Sequence, residues 1–280
     1  MMALNPAQLF SGVVLVAAPH MDDEVLACGG SLAGLPDKDK VYVVYATDGK
    51  LSPVRRAGAP SPELVAIRER EAREALSVLG IPERNIRFLG LPDSHLRQHM
   101  ERLAQALAGL IGTVQPDQIL LPFRFDRHPD HLALNQATIQ AAAQERSQAK
   151  MYEYFVYYRY RLLPGGDLRK FILPDLTIII DTRAWSELKR EALLRYRSQT
   201  TLFYPWQSRP ILPPQRIDEV SRQPEIFLES NPGFPGASVF GKGRAWIRLV
   251  HAIEPQFKNG KERLFALLKA GRTSNDGQGR

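Results

Sequence analysis

This chain of 280 residues lacks most of the features that classify a protein quickly. Cysteine occurs once, at Cys28. A disulfide framework and a cysteine-rich zinc knuckle are therefore excluded. A reducing compartment such as the cytoplasm is the expected location. No apolar run approaches the ~20 residues that a membrane helix needs. The first such run, residues 13–18 (VVLVAA), has only strand length and no basic region before it, so no export signal is expected. No internal repeat and no nucleic-acid motif is found, and nucleic acid is not an expected partner. Gly29-Gly30 is not followed by a Walker lysine, so a phosphate loop is not expected either. Close helix–strand packing is the expected role of these two glycines.

What is present is an ordinary globular composition, 44% hydrophobic and 24% charged, with ample apolar material for a core. The net charge is +7, with many of the basic residues late in the chain, from Arg183 to Arg272. A modestly basic solvated face is the simpler reading of that excess. Oligomeric state is left open, and a homo-oligomer is compatible with the composition.

Residues 12–18 are continuously apolar and rich in valine, as in a strand buried on both faces. A helix over 24–35, a strand over 41–46, a helix from 61 to 79 stopped at Gly80, a strand over 85–89, a helix over 98–114 and a strand over 118–122 follow. This alternation predicts a Rossmann-like α/β fold with a mostly parallel sheet flanked by helices. Further on, 151–162 and 175–181 read as strands and 185–198 as a helix. The stretch 52–62 reads as a loop and the proline-rich segment 204–236 as mostly irregular. The expected organisation is a core over 1–200, an irregular C-terminal extension over 201–270 packed on it, and a disordered tail over 271–280.

Two clusters carry chemistry. Pro19-His20-Met21-Asp22-Asp23-Glu24 follows the first strand, and His128-Pro129-Asp130-His131 follows the strand at 118–122. Histidine and aspartate are zinc ligands, and two His with one Asp leave a fourth position open. Adjacent carboxylates point in different directions, so one can hold a metal while the other works as a base. Either cluster alone also has a plain reading, as a hydrogen-bonded histidine or as acids at a helix start. In parallel sheets ligands bind at the carboxyl ends of strands. If the two strands are neighbours, both clusters lie on one rim.

Together with Cys28-Gly29-Gly30, the two clusters resemble the signature of the PIG-L/LmbE-like de-N-acetylase family. Further matches are Thr47-Asp48-Gly49, Arg68 with Glu71, Ala72, Ala75, Leu79 and Gly80, Leu91-Pro92-Asp93, and Arg197-Ser198-Gln199. The resemblance spans roughly residues 12–200. It implies a zinc-dependent hydrolase removing an N-acetyl group from an N-acetylglucosamine-type conjugate. His20, Asp23 and His131 would be metal ligands and Asp22 the general base. A protonated His128 would stabilise the oxyanion, and Asp130 would orient His128 and keep it protonated. Arg68 and Asp93 would contact the sugar. The plain readings of these last two are a solvated charged helix face and a turn aspartate. Fe2+ could replace Zn2+ in such a site. The alternative activity is a zinc amidase on another small-molecule amide, such as a thiol precursor or a natural-product glycoside.

Overall fold

The structure is a computed structural model, described for residues 3–53, 62–160, 163–230, 239–240 and 250. Most of the loop at 52–62 and the tail 271–280 therefore lie outside the described residues, as does much of the segment beyond 230. The chain divides into two compact units. The larger comprises Met1–Tyr157 with Leu176–Phe234, and the smaller Tyr158–Asp175 with the chain from Pro235 onward. In the smaller unit the Arg169 guanidinium lies 3.5 Å over the Tyr158 ring, and Leu173 N–H donates to Val239 O at 2.8 Å.

The larger unit opens with α1 (Pro6–Leu9), a single turn capped by Asn5. It continues through β1 (Val14–Ala18), α2 (Asp23–Gly34), β2 (Val41–Thr47), α3 (Pro62–Val78), β3 (Ile86–Leu91) and α4 (Met100–Val114). Then come β4 (Gln118–Pro122), α5 (Pro129–Gln144), β5 (Lys150–Tyr154), β6 (Thr177–Ile180), α6 (Ser186–Arg195), α7 (Arg197–Thr200), α8 (Pro214–Arg222) and β7 (Glu225–Glu229). One seven-stranded sheet runs in the order β3-β2-β1-β4-β5-β7-β6. The first five strands are parallel, and β7 is antiparallel to both β5 and β6.

Both faces of the sheet are covered, which is why every residue of β1 and β4 is buried. Val14, Val16 and Ala18 point into one core with α2, α3 and α6, while Leu15 and Ala17 point into a second core with α4 and α5. Strand order reverses at β1: the chain moves outward through β2 and β3 on one side, then through β4 and β5 on the other. A crevice opens between the carboxyl ends of two strands at such a switch point. Here those strands are β1 and β4, paired from Val14 with Gln118 to Val16 with Leu120.

Several sequence expectations change. The strand at 151–162 stops at Tyr154 because the Tyr157 N–H leaves the ladder for Asp126 Oδ2, at 3.1 Å. The segment 204–236 is not uniformly irregular. It supplies α8 and the strand β7, which is inserted in the sheet between β5 and β6. Only three apolar residues, Ile226, Phe227 and Leu228, separate Glu225 from Glu229, too few for a strand signal. Glu225 is buried because its carboxylate accepts from Lys189 Nζ at 2.6 Å and from Gly30 N and Ser31 N at 2.7 and 2.8 Å. Gly29 faces Val25 and Lys189 and Gly30 faces Thr182, while the Gly30 N–H reaches Glu225 on strand β7. A Cβ on Gly30 would come within 2.5 Å of Thr182 Cβ.

Candidate metal centre

The end of β1 and the start of α2 form one tight corner. Asp22 precedes the helix with φ +133°, a sparsely populated backbone region for a residue with a side chain. Its N–H donates to Glu24 Oε2 at 3.2 Å, and its C=O accepts from Leu26 N. The corner turns the two carboxylates apart. Asp22 Oδ1 faces Arg68 Nη2 at 3.6 Å. Asp23 turns back to the preceding histidine. Its Oδ2 accepts from His20 N at 3.1 Å and lies 3.1 Å from His20 Nδ1.

The second cluster arrives from β4. His128 caps α5, its Nδ1 accepting from the Asp130 N–H at 3.3 Å. His131 is one turn into that helix and fully buried, with Nε2 3.2 Å from the same Asp23 Oδ2. One carboxylate oxygen therefore meets a nitrogen of each histidine. The ring nitrogens of His20, His128 and His131 also lie within 4.8 Å of one another. Three of the predicted ligands, with His128 beside them, are thus brought together, as the adjacency of β1 and β4 requires.

The far edges of the two rings meet further carboxylates. His20 Nε2 lies 3.3 Å from both Asp130 Oδ2 and Asp93 Oδ1. His131 Nδ1 lies 3.3 Å from Asp126 Oδ2. Neither ring nitrogen of His131 makes an aligned hydrogen bond among the described residues, although both are buried. Burial lowers the His20 and His131 pKa values. The carboxylates of Asp130, Asp23 and Asp93 outweigh burial at His20 and raise it well above its usual value. Asp126 and Asp23 raise His131 to about 9. Burial opposes ionisation of Asp23, but His131 and His20 hold it far below the usual carboxylate range.

This environment demands positive charge, and its donor types suit a metal ion. Two nitrogens on a tetrahedral zinc at ~2.0–2.1 Å would lie about 3.3 Å from a third ligand atom. The Asp23 separations of 3.1 and 3.2 Å match that edge. Aspartate with two imidazoles is a borderline donor set suited to zinc or ferrous iron.

The contacts of four of the expected site residues are as follows. Asp130 does not address the His128 ring with its carboxylate. That carboxylate accepts from Ser94 N at 2.6 Å and Leu96 N at 3.0 Å and faces His20. His128 is not held protonated: burial, then His20 and His131, push it down to about 4. With Nδ1 accepting, a neutral His128 carries its hydrogen on Nε2. Asp93 is buried against His20, Leu51 N and Ser94 Oγ. Arg68 lies on no solvated face: it is 1% exposed, with Nη1 and Nη2 on the carbonyls of Gly49 and Met21.

The family model for GlcNAc-PI de-N-acetylase (PIG-L) matches residues 15–142, which span β1 through α5 and both clusters. Residues 15–142 of this chain thus resemble the PIG-L family, over 128 of its 280 residues. The chain is 33% identical over 138 residues to a probable N-acetyl-alpha-D-glucosaminyl L-malate deacetylase 2 of Bacillus cereus. That match covers 46% of this chain and 60% of the relative. Among solved structures, the N,N'-diacetylchitobiose deacetylase of Pyrococcus horikoshii superposes with a TM-score of 0.58 at 22% identity, over 82% of this chain and 87% of that one. GalB, the 4-carboxy-2-hydroxymuconate hydratase of Pseudomonas putida, gives 0.57 at 16%, over 80% and 98%. A hydratase and a deacetylase thus share the fold, and the reaction has to be argued from the site.

Within the PIG-L stretch, Asp126 escaped the sequence reading. It sits two residues before His128, and its only signal was an acid beside a histidine cluster. Tyr157, beyond the stretch, falls in the tyrosine-rich segment 151–162, which reads from sequence as a strand rather than as a wall of the site. Its ring lies 5.2 Å from that of His131 and 6.0 Å from that of His128, and it is 47% exposed. The late block Ser198-Gln199 also acquires a physical reason. Ser198 donates from N and Oγ to Glu71 on α3, and Gln199 Nε2 donates to Ser52 O. These bonds hold the loop whose Leu51 N–H reaches Asp93.

Proposed function

We propose that this protein is a metal-dependent N-deacetylase that hydrolyses the acetamide of an N-acetylglucosamine-type conjugate. One observation carries the reading: Asp23 Oδ2 meets both His20 Nδ1 and His131 Nε2, while the adjacent Asp22 carboxylate is turned away from both rings toward Arg68. His20, Asp23 and His131 would hold the ion, with zinc the best match to the donor set and iron the alternative. When bound, the ion supplies a Lewis acid for the carbonyl and lowers the pKa of water toward ~7.

The chain's own groups then divide the proton work. Asp22 accepts the proton of the attacking water and returns it to the departing amine. Burial and then the neighbouring Asp23 and Glu24 carboxylates hold Asp22 up at about 8, with Arg68 opposing. A nearby dication would lower that value toward neutrality, where a base works best. His128 offers its Nε2–H to the oxygen on which negative charge develops. A positioned donor of this kind is worth ~3 kcal/mol. Neutral imidazole suffices, since the donor hydrogen is present without a second proton. Arg68 holds Met21 and Gly49 and adds positive charge behind Asp22, and Asp93 and Asp130 brace His20.

The test is amine release from a panel of N-acetylated amino sugars by metal-depleted and metal-restored protein. Activity should vanish on chelation and return with zinc or iron. Full activity without metal, or in His20→Ala, rejects the reading. Turnover only on a non-sugar amide would favour the amidase alternative. His128→Ala should keep metal and lose turnover; loss of metal would make His128 a ligand.

A further inference from the structure

Asp126 is the point where three parts of the site meet. Its side chain is 2% exposed, so water does not compete for it. Oδ1 accepts the His128 N–H at 2.9 Å. Oδ2 accepts the Tyr157 N–H at 3.1 Å and lies 3.3 Å from His131 Nδ1. Its own N–H donates to Phe123 O at 3.0 Å, which closes the turn after β4.

An imidazole can offer a lone pair to a cation from one nitrogen only when its hydrogen sits on the other. His131 turns Nε2 toward Asp23, the ion side of the ring. The hydrogen must then be on Nδ1, and a buried N–H needs an acceptor. Asp126 Oδ2 stands at that edge. The same oxygen takes the Tyr157 N–H out of the β5 ladder and so brings the tyrosine ring alongside His128 and His131.

We infer that Asp126 is a positioning residue: it fixes His131 as the Nδ1–H tautomer that presents Nε2 to the metal, and it ties Tyr157 to the metal centre as one wall. This rests on the metal-centre reading proposed above. Asparagine in its place keeps the shape but not the acceptors. Its oxygen can serve the His128 N–H, but its NH2 then faces two further N–H groups.

The test measures zinc affinity by chelator competition in the wild type and in Asp126→Asn, and records imidazole nitrogen NMR of both zinc-loaded proteins, with His131→Ala used for assignment. The expected result is a 10–100-fold weaker zinc affinity in the variant, the usual effect of losing a group behind a metal-bound histidine. The wild type should show hydrogen on His131 Nδ1. Affinity within twofold of wild type, with the same His131 tautomer, overturns the inference. If the variant fails to fold, the wild-type spectrum decides: metal on Nδ1 overturns it, and hydrogen on Nδ1 supports it. If the wild type takes up no metal at all, the metal-centre reading has failed instead.

Discussion

Replacing Asp22 by asparagine separates the proton work from the metal binding. Asn matches Asp in shape and, like Asp, tolerates positive φ better than most residues, so the +133° corner should survive. The ligand oxygen belongs to Asp23, 3.1 and 3.2 Å from the two histidine nitrogens, so the metal should stay. Arg68 loses an anionic neighbour 3.6 Å away but keeps its bonds to the Met21 and Gly49 carbonyls. Against that loss, a buried carboxylate that burial itself disfavours is removed. Net stability should change by no more than ~1 kcal/mol. The amide cannot accept the water proton, which removes a ~10²–10⁴-fold contribution to turnover. That is about 3–5.5 kcal/mol of barrier. The assay is amine release under saturating substrate, with metal content measured on the same preparation. A metal-replete variant with near-normal kcat would refute the assignment of the base. A metal-free variant would show that Asp22 is a ligand. Asp23→Asn is the counterpart and should lose metal.

Other perturbations test the frame around the site. Glu225→Gln leaves the Lys189 ammonium buried without its 2.6 Å partner, so folding stability should fall by ~3–5 kcal/mol in guanidinium melts; a fall below ~1 would mean that water reaches the lysine. Gly30→Ala drives a Cβ to 2.5 Å from Thr182 Cβ and should cost ~1–3 kcal/mol, and an unchanged melting temperature would contradict the close approach of α2. Chelated protein should lose stability as pH rises. Its folded-state values lie above the ordinary ones for Asp22 (3.8 to about 8), Glu24 (4.5 to about 7) and His131 (6.5 to about 9). Such groups stabilise fully below their unfolded pKa, and the effect is lost as pH passes the folded one. Asp23, Asp93 and Asp130 are lowered, so their contribution disappears only in acid, below the usual carboxylate range. Melting temperatures of chelated protein at pH 5, 7 and 9 should therefore decline in that order, while metal affinity rises as the ion displaces protons. A rising or flat series would sink this charge assignment.

Much of the first half of the chain was readable because its signals are local. The valine-rich run of β1 and Gly80 after α3 each reflect backbone chemistry within a few residues. The late elements were less readable. β7 holds a buried glutamate whose cost is met by Lys189, 36 positions earlier in the sequence, and by two helix N–H groups almost 200 residues away. The end of β5 is likewise set by Asp126, 31 residues upstream of Tyr157. No periodicity carries such information.

The site divides along the same line. Sequence alone supplied the residue types, His20, Asp22, Asp23, His128 and His131, and placed them at the ends of two apolar strands. Only the tertiary structure decided which carboxylate serves which ring. Asp130 turns to His20 because the Ser94 and Leu96 N–H groups hold it there, and Asp126 takes the place behind His131. It also pushed the His128 pKa down, since burial and two neighbouring imidazoles outweigh the carboxylates of Asp130 and Asp23. A side chain's role in a site follows from the direction of its lone pairs and the charges around it. Those are fixed by residues that meet only when β1 and β4 lie side by side.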